Sequence, residues 1–216
     1  MAGSQAISIL EPYAARLTRP VAAVAADLES YAQLLLKWQK IQNLVSRETV
    51  SELWPRHIAD SLQVLAHLRE TDRELIDFGS GGGFPALPLA MARRGALHVT
   101  MVESNGRKAS FLRTVGRELR LGASVRDERG EAIGRENLPV PDVISARALA
   151  DLGQLCALTA PFFAPKTRAL FLKGREHVEE IAQARTQWDF DVLEHASATD
   201  ATGVVLEISN LRLKNR

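Results

Sequence analysis

Several features are scarce in this sequence of 216 residues, and each absence excludes a class of protein. Cys156 is the only cysteine, which excludes an intrachain disulfide and fits a reducing compartment. No apolar run reaches the roughly 20 residues that a membrane-spanning helix requires. The stretch 1–11 also lacks the basic start and long apolar core of a secretory signal peptide. We therefore expect a cytoplasmic protein. The net charge is only +1, so composition alone does not indicate a nucleic-acid-binding protein.

The most informative stretch runs from Leu75 to Glu103 and reads as strand, glycine-rich turn, helix and strand. Gly79, Gly81 and Gly83 lie two residues apart, so the backbone there can adopt positive φ and bring bare amides close to a ligand. Glu103 falls at the end of the second strand, where a carboxylate can accept hydrogen bonds from both hydroxyls of a ribose. The stretch predicts a site for a nucleotide-containing cofactor.

The spacing of the glycines alone does not decide which cofactor binds. Counted from Gly79, a dinucleotide fingerprint needs a small residue where Phe84 stands, whereas a count from Gly81 through Gly83 to Ala86 does fit. A dinucleotide fold usually carries a further substrate domain, for which this chain is short, so S-adenosylmethionine fits better. A glycine turn that merely lets a helix pack on a strand is the alternative.

The chain before the glycine-rich turn is helical by its periodicity. Apolar residues recur at intervals of three and four residues from Pro20 to Ile41, which predicts a helix there. A weaker helix is expected around Ile7 to Leu17, and another from Pro55 to about Leu68. We expect residues 1–72 to form a helical cap over the cofactor site, and residues 73–216 to form the core.

Strands and helices alternate after Glu103, which is typical of a doubly wound parallel α/β sheet. Expected strands cover 125–128, 142–145, 169–172, 190–194 and 204–208, and expected helices cover 105–121, 152–158 and 176–187. In such a sheet the functional residues follow the carboxyl ends of the strands.

The residues expected at these strand ends differ in charge. Glu103, Gly130 and Glu131 suit a cationic sulfonium cofactor that carries a ribose, and Arg147 and Lys173 suit an anionic acceptor. A solvated loop charge is the alternative for each base. The pattern favours a cationic cofactor beside an anionic substrate.

His57 and Asp60 are three residues apart on one helix and share a face. With Asn43 from the preceding turn, they are expected to line the acceptor pocket, although capping or packing is the alternative. No second His or Cys stands at metal-ligand spacing, so we expect no metal. Cys156 lies among apolar residues of a helix and is expected to be a buried hydrophobe rather than a nucleophile.

A further group of basic residues lies on one face of the helix expected after Glu103. They form either a phosphate-contacting stripe or an ordinary solvated face, and they are Arg107, Lys108, Arg113, Arg117 and Arg120.

Several of these segments together resemble the RsmG (GidB) family of bacterial 16S ribosomal RNA guanine-N7 methyltransferases. The resemblance covers about Leu35 to Lys173, and its most specific part is the block Arg-His-Ile-Ala-Asp-Ser-Leu at 56–62. The other matching segments are Asn43-Leu44, Asp77-Phe-Gly-Ser-Gly-Gly-Gly-Phe-Pro, Lys108 with Phe111-Leu112-Arg113, Arg129-Gly130-Glu131, Ser145-Ala146-Arg147-Ala148 and Leu172-Lys173-Gly174.

The resemblance implies a Rossmann-like class I S-adenosylmethionine-dependent methyltransferase fold with an N-terminal helical segment. It implies that the cofactor is held by Gly79, Phe84, Gly130, Glu131 and Arg147, beside Gly81, Gly83 and Glu103, which the residue pattern already predicts. It also implies that Asn43, Arg56, His57, Asp60 and Lys173 face the RNA or shape the guanine pocket, and the basic helix face adds Arg107, Lys108 and Arg113 as expected RNA-binding residues. Ala86 stands where the family usually has glycine, and 130–141 matches poorly.

The implied reaction needs no general base, because guanine N7 carries an unprotonated lone pair. The expected partner is 16S ribosomal RNA or the small ribosomal subunit, and we expect a monomer. Two other classes stay open: a methyltransferase acting on a small molecule or protein, and a non-catalytic RNA-binding module.

Overall fold

A mixed seven-stranded sheet forms the centre of the computed structural model, which describes residues 2–214. The strand order is β3-β2-β1-β4-β5-β7-β6. The strands are β1 (Glu74–Phe78), β2 (His98–Val102), β3 (Ala123–Arg126), β4 (Val143–Arg147), β5 (Arg168–Lys173), β6 (Trp188–Ala196) and β7 (Val204–Leu213). Met1 and residues 215–216, which belong to the two predicted units, lie outside the described residues.

Strands β1 to β5 are parallel, as the alternation of strands and helices predicts. The expectation of a wholly parallel sheet is wrong at one edge, where β7 pairs antiparallel with both β5 and β6. Only the short connection 197–203 joins β6 to β7, and a parallel pair would need a crossover of a dozen or more residues. This hairpin places the loop 197–203 beside the carboxyl ends of β4 and β5.

Helices cover both faces of the sheet and the N-terminal segment. The α-helices are α1 (Ala2–Leu10), α2 (Val21–Gln39), α3 (Asp60–Leu62), α4 (Ala86–Ala92), α5 (Gly106–Glu118), α6 (Leu152–Thr159) and α7 (His177–Ala184). The helix expected from Pro55 to Leu68 is continuous but changes its winding, from a π-helix over Trp54–Ala59 through α3 to a 3-10 helix over Gln63–His67. None of the helices within 2–214 combines the length and the apolar character needed to cross a bilayer.

The N-terminal segment shares a hydrophobic core with one face of the sheet. Leu28 and Tyr31 of α2 are fully buried in the same cluster as Phe84 and Phe111. The Tyr31 hydroxyl donates a hydrogen bond to the Gly82 carbonyl oxygen at 2.6 Å. Because this bond joins α2 to the glycine-rich turn, the N-terminal helices fix the position of that turn.

Candidate functional site

The glycine-rich turn after β1 adopts the left-handed backbone that its sequence requires. The φ angles of Gly79, Gly81 and Gly83 are 69°, 56° and 97°. Their amides are all used within the protein, since they donate to the Val102 carbonyl, the Glu103 carboxylate and the Ser80 carbonyl at 2.9, 2.8 and 2.6 Å. The expectation that these three glycines offer bare amides is therefore wrong. At these three positions the turn therefore offers close approach of the backbone rather than free amides.

Glu103 lies at the carboxyl end of β2 with its side chain buried against this turn. Its Oε2 accepts the Gly81 amide and its Oε1 accepts the Asn105 amide, both at 2.8 Å. A carboxylate has about four lone-pair sites, so two bonds orient the group and leave sites for a further donor.

A small cavity of about 130 Å³, here called the glycine-loop cavity, opens beside this carboxylate. Its lining contains both apolar and charged residues, and comprises Phe78, Gly79, Val102, Ser104, Glu128, Arg129, Gly130, Glu131, Leu149 and Leu158. A Cβ on Gly130 would lie 2.8 Å from Leu158 Cδ1 and 3.0 Å from Phe78 Cδ1, so any side chain there would crowd the cavity wall. The cavity is a slot between apolar side chains that suits a flat ring.

Asp77, in β1, is a buried acid whose role the sequence reasoning missed. Its Oδ1 accepts the Ser145 hydroxyl at 2.7 Å, whereas Oδ2 has no partner among residues 2–214. Burial raises the pKa of Asp77 to about 7, even though hydrogen bonds from serine side chains act to lower it. A buried carboxyl oxygen without a partner therefore lies directly before the glycine turn. The available signal was an acid two residues before the first glycine.

Arg147 ends β4 and is held by three hydrogen bonds and a cation–π contact. Its Nη1 donates to the Arg56 carbonyl oxygen at 3.2 Å and to Asp60 Oδ2 at 3.3 Å. Its Nη2 lies 2.7 Å from His57 Nδ1, and its guanidinium lies over the Phe84 ring at 5.1 Å from the centroid. These contacts fix the plane of the guanidinium and leave Nε and one Nη2 hydrogen for a ligand.

His57 is buried between Arg147 and Thr49. Because a guanidinium only donates, Nδ1 must accept from Arg147, so the ring proton is on Nε2 and is donated to Thr49 Oγ1 at 2.9 Å. Burial, with the charges of Arg147 and Arg56, lowers the pKa of His57 to about 4. The ring also packs on Phe84 at 5.2 Å between centroids. His57 is therefore a neutral positioning group near pH 7.

Asp60 connects Arg147 to the loop between β6 and β7, which the sequence reasoning did not place at the site. Asp60 Oδ1 accepts the Gln63 amide at 2.7 Å and the Thr199 hydroxyl at 2.9 Å. The Ala198 amide in turn donates to Gln63 Oε1 at 2.9 Å. No motif signals this loop, because only the β6–β7 pairing brings it here.

A second cavity, here called the Arg147 cavity, lies between these groups and has a volume of about 660 Å³. Its lining includes Arg56, His57, Asp60, Arg147 and Lys173, all of which the sequence singled out. Lys173 forms an ion pair with Glu180 and donates to the Ala150 carbonyl oxygen at 2.8 Å, so its charge is largely neutralised. A cavity therefore lies at the edge of the sheet where the acceptor pocket is predicted.

Other residues predicted for the site lie elsewhere. Asn43 lines a separate cavity together with Arg107 and Lys108, not the Arg147 cavity. Arg113 is paired with Asp127 at 3.6 Å. The structure therefore divides the predicted RNA-facing residues between two surfaces.

Two further predictions concern thiol and metal chemistry. Cys156 is fully buried in α6, and burial raises the pKa of its thiol to about 12. Within 2–214, His, Cys, Asp and Glu side chains form no group of three or more that could hold a metal ion.

Solved structures with this fold include methyltransferases. An O-methyltransferase from Bacillus cereus has a TM-score of 0.55 and 16% identity, covering 83% of this chain and 90% of its own. A ribosomal protein L11 methylase from Lactobacillus delbrueckii has a TM-score of 0.54 and 15% identity, covering 71% and 78%. At these identities the likeness shows the Rossmann-like class I methyltransferase fold.

Sequence relatives carry the more specific information. Proteins from Brucella ovis and Brucella suis, each named Ribosomal RNA small subunit methyltransferase G, are 44% identical over 192 residues, which is 88% of this chain and 89% of theirs. A family model described as rRNA small subunit methyltransferase G matches residues 24–208. With this match over most of its length, the chain belongs to the rRNA small subunit methyltransferase G (GidB) family of methyltransferases.

Proposed function

We propose that this protein transfers a methyl group from S-adenosylmethionine to N7 of a guanine in 16S ribosomal RNA. The observation that carries the proposal is the adjacency of two cavities at the carboxyl ends of β1 and β4 in a member of this family. Gly79 and Leu149 line the glycine-loop cavity, whereas Arg147 and Ala148 line the other. A cofactor in one can therefore face an acceptor in the other.

The glycine-loop side fits S-adenosylmethionine better than a dinucleotide. In support, Glu103 keeps lone pairs for the hydroxyls of a ribose, and Phe78 and Leu158 offer apolar faces to a flat ring. The amides of Gly79, Gly81 and Gly83 already donate to acceptors of the protein itself. We assign Gly130 and Glu131 to the same cavity, and Phe84 to the wall between the two cavities.

When bound, the cofactor supplies an electrophilic methyl, and the C–S bonding electrons return to sulfur as the N7 lone pair forms the new N–C bond. No proton leaves N7, so the protein's task is alignment and stabilisation of positive charge on the purine. The pair of His57 and Arg147 accords with this, because both ring nitrogens of His57 are engaged and its pKa is about 4. No residue within 2–214 has to act as a base.

Arg147 is the residue we assign to guanine recognition. Its remaining donors suit the O6 atom of guanine or a phosphate oxygen. Asp60 and His57 hold the guanidinium in one orientation, which makes them positioning residues. Arg56 and Lys173 border the same cavity: the exposed Arg56 is assigned to the RNA strand outside the pocket, and Lys173, which is paired with Glu180, to the shape of the pocket wall.

The broader organisation follows as part of the proposal. Residues 1–72 act as a cap that positions the glycine turn and the acceptor side, and residues 73–216 act as the methyltransferase core. The bond from Tyr31 to Gly82 and the position of His57 support this division of roles. We propose further that the protein works in the cytoplasm as a monomer on 16S ribosomal RNA or the small subunit.

The test is transfer of labelled methyl from S-adenosylmethionine to small-subunit RNA or particles from cells that lack this protein. Nucleoside analysis should place the label in 7-methylguanosine. Label in another nucleoside would overturn the acceptor atom, and bound cofactor without label in RNA would redirect the search to proteins and small molecules. An Arg147→Ala variant should lose RNA affinity or turnover at saturating cofactor. Loss of cofactor affinity alone would reject the assignment of Arg147 to guanine.

A further inference from the structure

A third cavity, here called the basic cavity, lies where the end of α2 and the following turn meet the start of α5. Its volume is about 780 Å³. The Gln42 side-chain amide donates to the Arg107 carbonyl oxygen at 3.2 Å and joins the two walls. The lining residues are Gln39, Lys40, Ile41, Gln42, Asn43, Arg47, Val50, Asn105, Arg107 and Lys108.

The charge of this cavity is of one sign. Lys40, Arg47, Arg107 and Lys108 line it together with no acidic residue. Within residues 2–214, none of these four side chains forms an ion pair. Four uncompensated cations around one concave surface raise the local positive potential and attract an anion.

The glycine-loop cavity and the Arg147 cavity, by contrast, both contain acidic residues in their lining. The glycine-loop cavity is lined by Glu128 and Glu131, and the Arg147 cavity by Asp60, Glu180 and others. A polyanionic backbone is therefore accommodated most favourably in the basic cavity.

The basic cavity and the Arg147 cavity lie on opposite sides of one short segment. Arg47 and Val50 line the basic cavity, whereas Thr49, between them in sequence, lines the Arg147 cavity and accepts the hydrogen bond from His57. A nucleic-acid strand with one base in the Arg147 cavity can therefore cross this segment and reach the basic cavity with a neighbouring nucleotide.

The rim of the basic cavity also offers an apolar contact. Ile41 is 80% exposed, which leaves its side chain available to a base. The adjacent amide side chains of Gln42 and Asn43 provide hydrogen-bonding groups. Cations with an exposed apolar group and amides suit a nucleotide rather than a bare inorganic anion.

We propose that the basic cavity binds the ribosomal RNA strand next to the methylated nucleotide. Lys40, Arg47, Arg107 and Lys108 contact its phosphates, and Ile41 packs against an unstacked base. This inference rests on the proposed function, because it takes the strand to be the substrate RNA. It adds Lys40, Arg47 and Ile41 to the RNA-binding residues. It also places neighbouring nucleotides of one strand in the Arg147 cavity and in the basic cavity.

The experiment compares equilibrium binding of 16S ribosomal RNA across a range of KCl concentrations for three double variants of the full chain. Lys40→Gln with Arg47→Gln removes two charges from the cavity, and Lys40→Arg with Arg47→Lys keeps them. Lys166→Gln with Arg212→Gln removes two exposed charges from the opposite end of the sheet. Cofactor affinity and thermal stability are measured in parallel and should stay at wild-type values.

For the cavity variant we expect at least roughly tenfold weaker binding, and a salt slope shallower by about 1.4 if two phosphate contacts are lost. The charge-conserving and the distant variants should retain the wild-type slope. An unchanged slope in the cavity variant, or an equal change in the distant variant, would overturn the inference. If the wild type binds RNA with this cavity dependence but transfers no methyl group, the proposed function fails, and the basic cavity is an RNA-binding surface with no methylated nucleotide beside it. Normal methylation with an unchanged slope would instead reject the inference and leave the proposed function standing.

Discussion

The guanidinium of Arg147 donates from Nη2 to Nδ1 of His57 across 2.7 Å, joining the helical segment before the sheet to the end of β4. The same guanidinium reaches Asp60 Oδ2 at 3.3 Å. Thr49 fixes the other ring nitrogen of His57. The arginine is thus held by an acceptor that cannot take a second proton near pH 7, which is the arrangement expected of a positioned donor rather than an acid–base pair.

The acceptor at His57 Nδ1 can be tested with a matched pair of substitutions. An asparagine side chain can place an oxygen near the position of Nδ1, so His57→Asn should keep more activity than His57→Ala. A hydrogen bond to a charged group contributes about 1.5–3 kcal/mol, so we expect roughly a 10- to 100-fold lower kcat for the alanine variant. The measurement is kcat and KM for methyl transfer, with cofactor affinity unchanged in both. Equal losses in the two variants would contradict the positioning role.

The pKa of His57 gives a second prediction. Burial and the charge of Arg147 lower this pKa to about 4 from its ordinary value of 6.5, so Arg147→Met should raise it. Burial remains in the variant, so the pKa should stay below 6.5. NMR titration of the His57 ring measures the change directly, and a pKa that does not move would show that the charge of Arg147 has no influence.

The same shift has a consequence for stability. Between pH 6.5 and about 4 the unfolded chain binds a proton at this histidine that the folded protein does not. The stabilisation that neutral His57 gives the folded protein is therefore complete above pH 6.5 and is lost as pH falls through this window. The loss should be smaller in Arg147→Met, as measured by the free energy of unfolding across pH.

Gly130 provides a test of the glycine-loop cavity. In Gly130→Ala the new Cβ would lie 2.8 Å from Leu158 Cδ1 and 3.0 Å from Phe78 Cδ1, so the slot between them must change shape. We expect at least about tenfold weaker binding of S-adenosylmethionine, because a close-packed site tolerates added volume poorly. Gly122→Ala is the matched control, since a Cβ there meets nothing within 4 Å. Calorimetric titration of both variants checks the prediction, and similar affinities would exclude this cavity as the cofactor site.

The sequence predicts those parts of the structure that local patterns determine. The glycine turn, the strands that flank it and the amphipathic helix α2 all follow from residue periodicity and spacing. The direction of β7 does not, because pairing is a property of the whole sheet, although the short connection 197–203 was an available signal.

The site shows the same limit. Arg147 and His57 could each be singled out by position, but they are 90 residues apart and only the folded chain makes them partners. Asn43 was grouped with His57 because both precede the sheet, whereas the turn after α2 directs it to the basic cavity. Bonds between a side chain and a distant backbone group, such as Tyr31 to Gly82, leave no pattern in one sequence.

Asp77 supports a prediction about pH and stability that has the opposite sign to that of His57. Its pKa is about 7 in the folded protein and 3.8 ordinarily, so between these values the folded protein keeps a proton that the unfolded chain has lost. The free energy of unfolding therefore decreases as pH rises through this window, by up to about 4 kcal/mol at about 1.36 kcal/mol for each pH unit.

Asp77→Asn removes the titration but keeps the shape and an oxygen that can accept the Ser145 hydroxyl. Its unfolding free energy, measured by urea denaturation from pH 4 to pH 8, should lack this decrease and exceed that of the wild type most at pH 8. Asp127→Asn, at an exposed position, should follow the wild-type curve. Parallel curves for wild type and Asp77→Asn would mean that Asp77 ionises in the folded protein as it does in the unfolded chain, and the raised pKa would then be rejected.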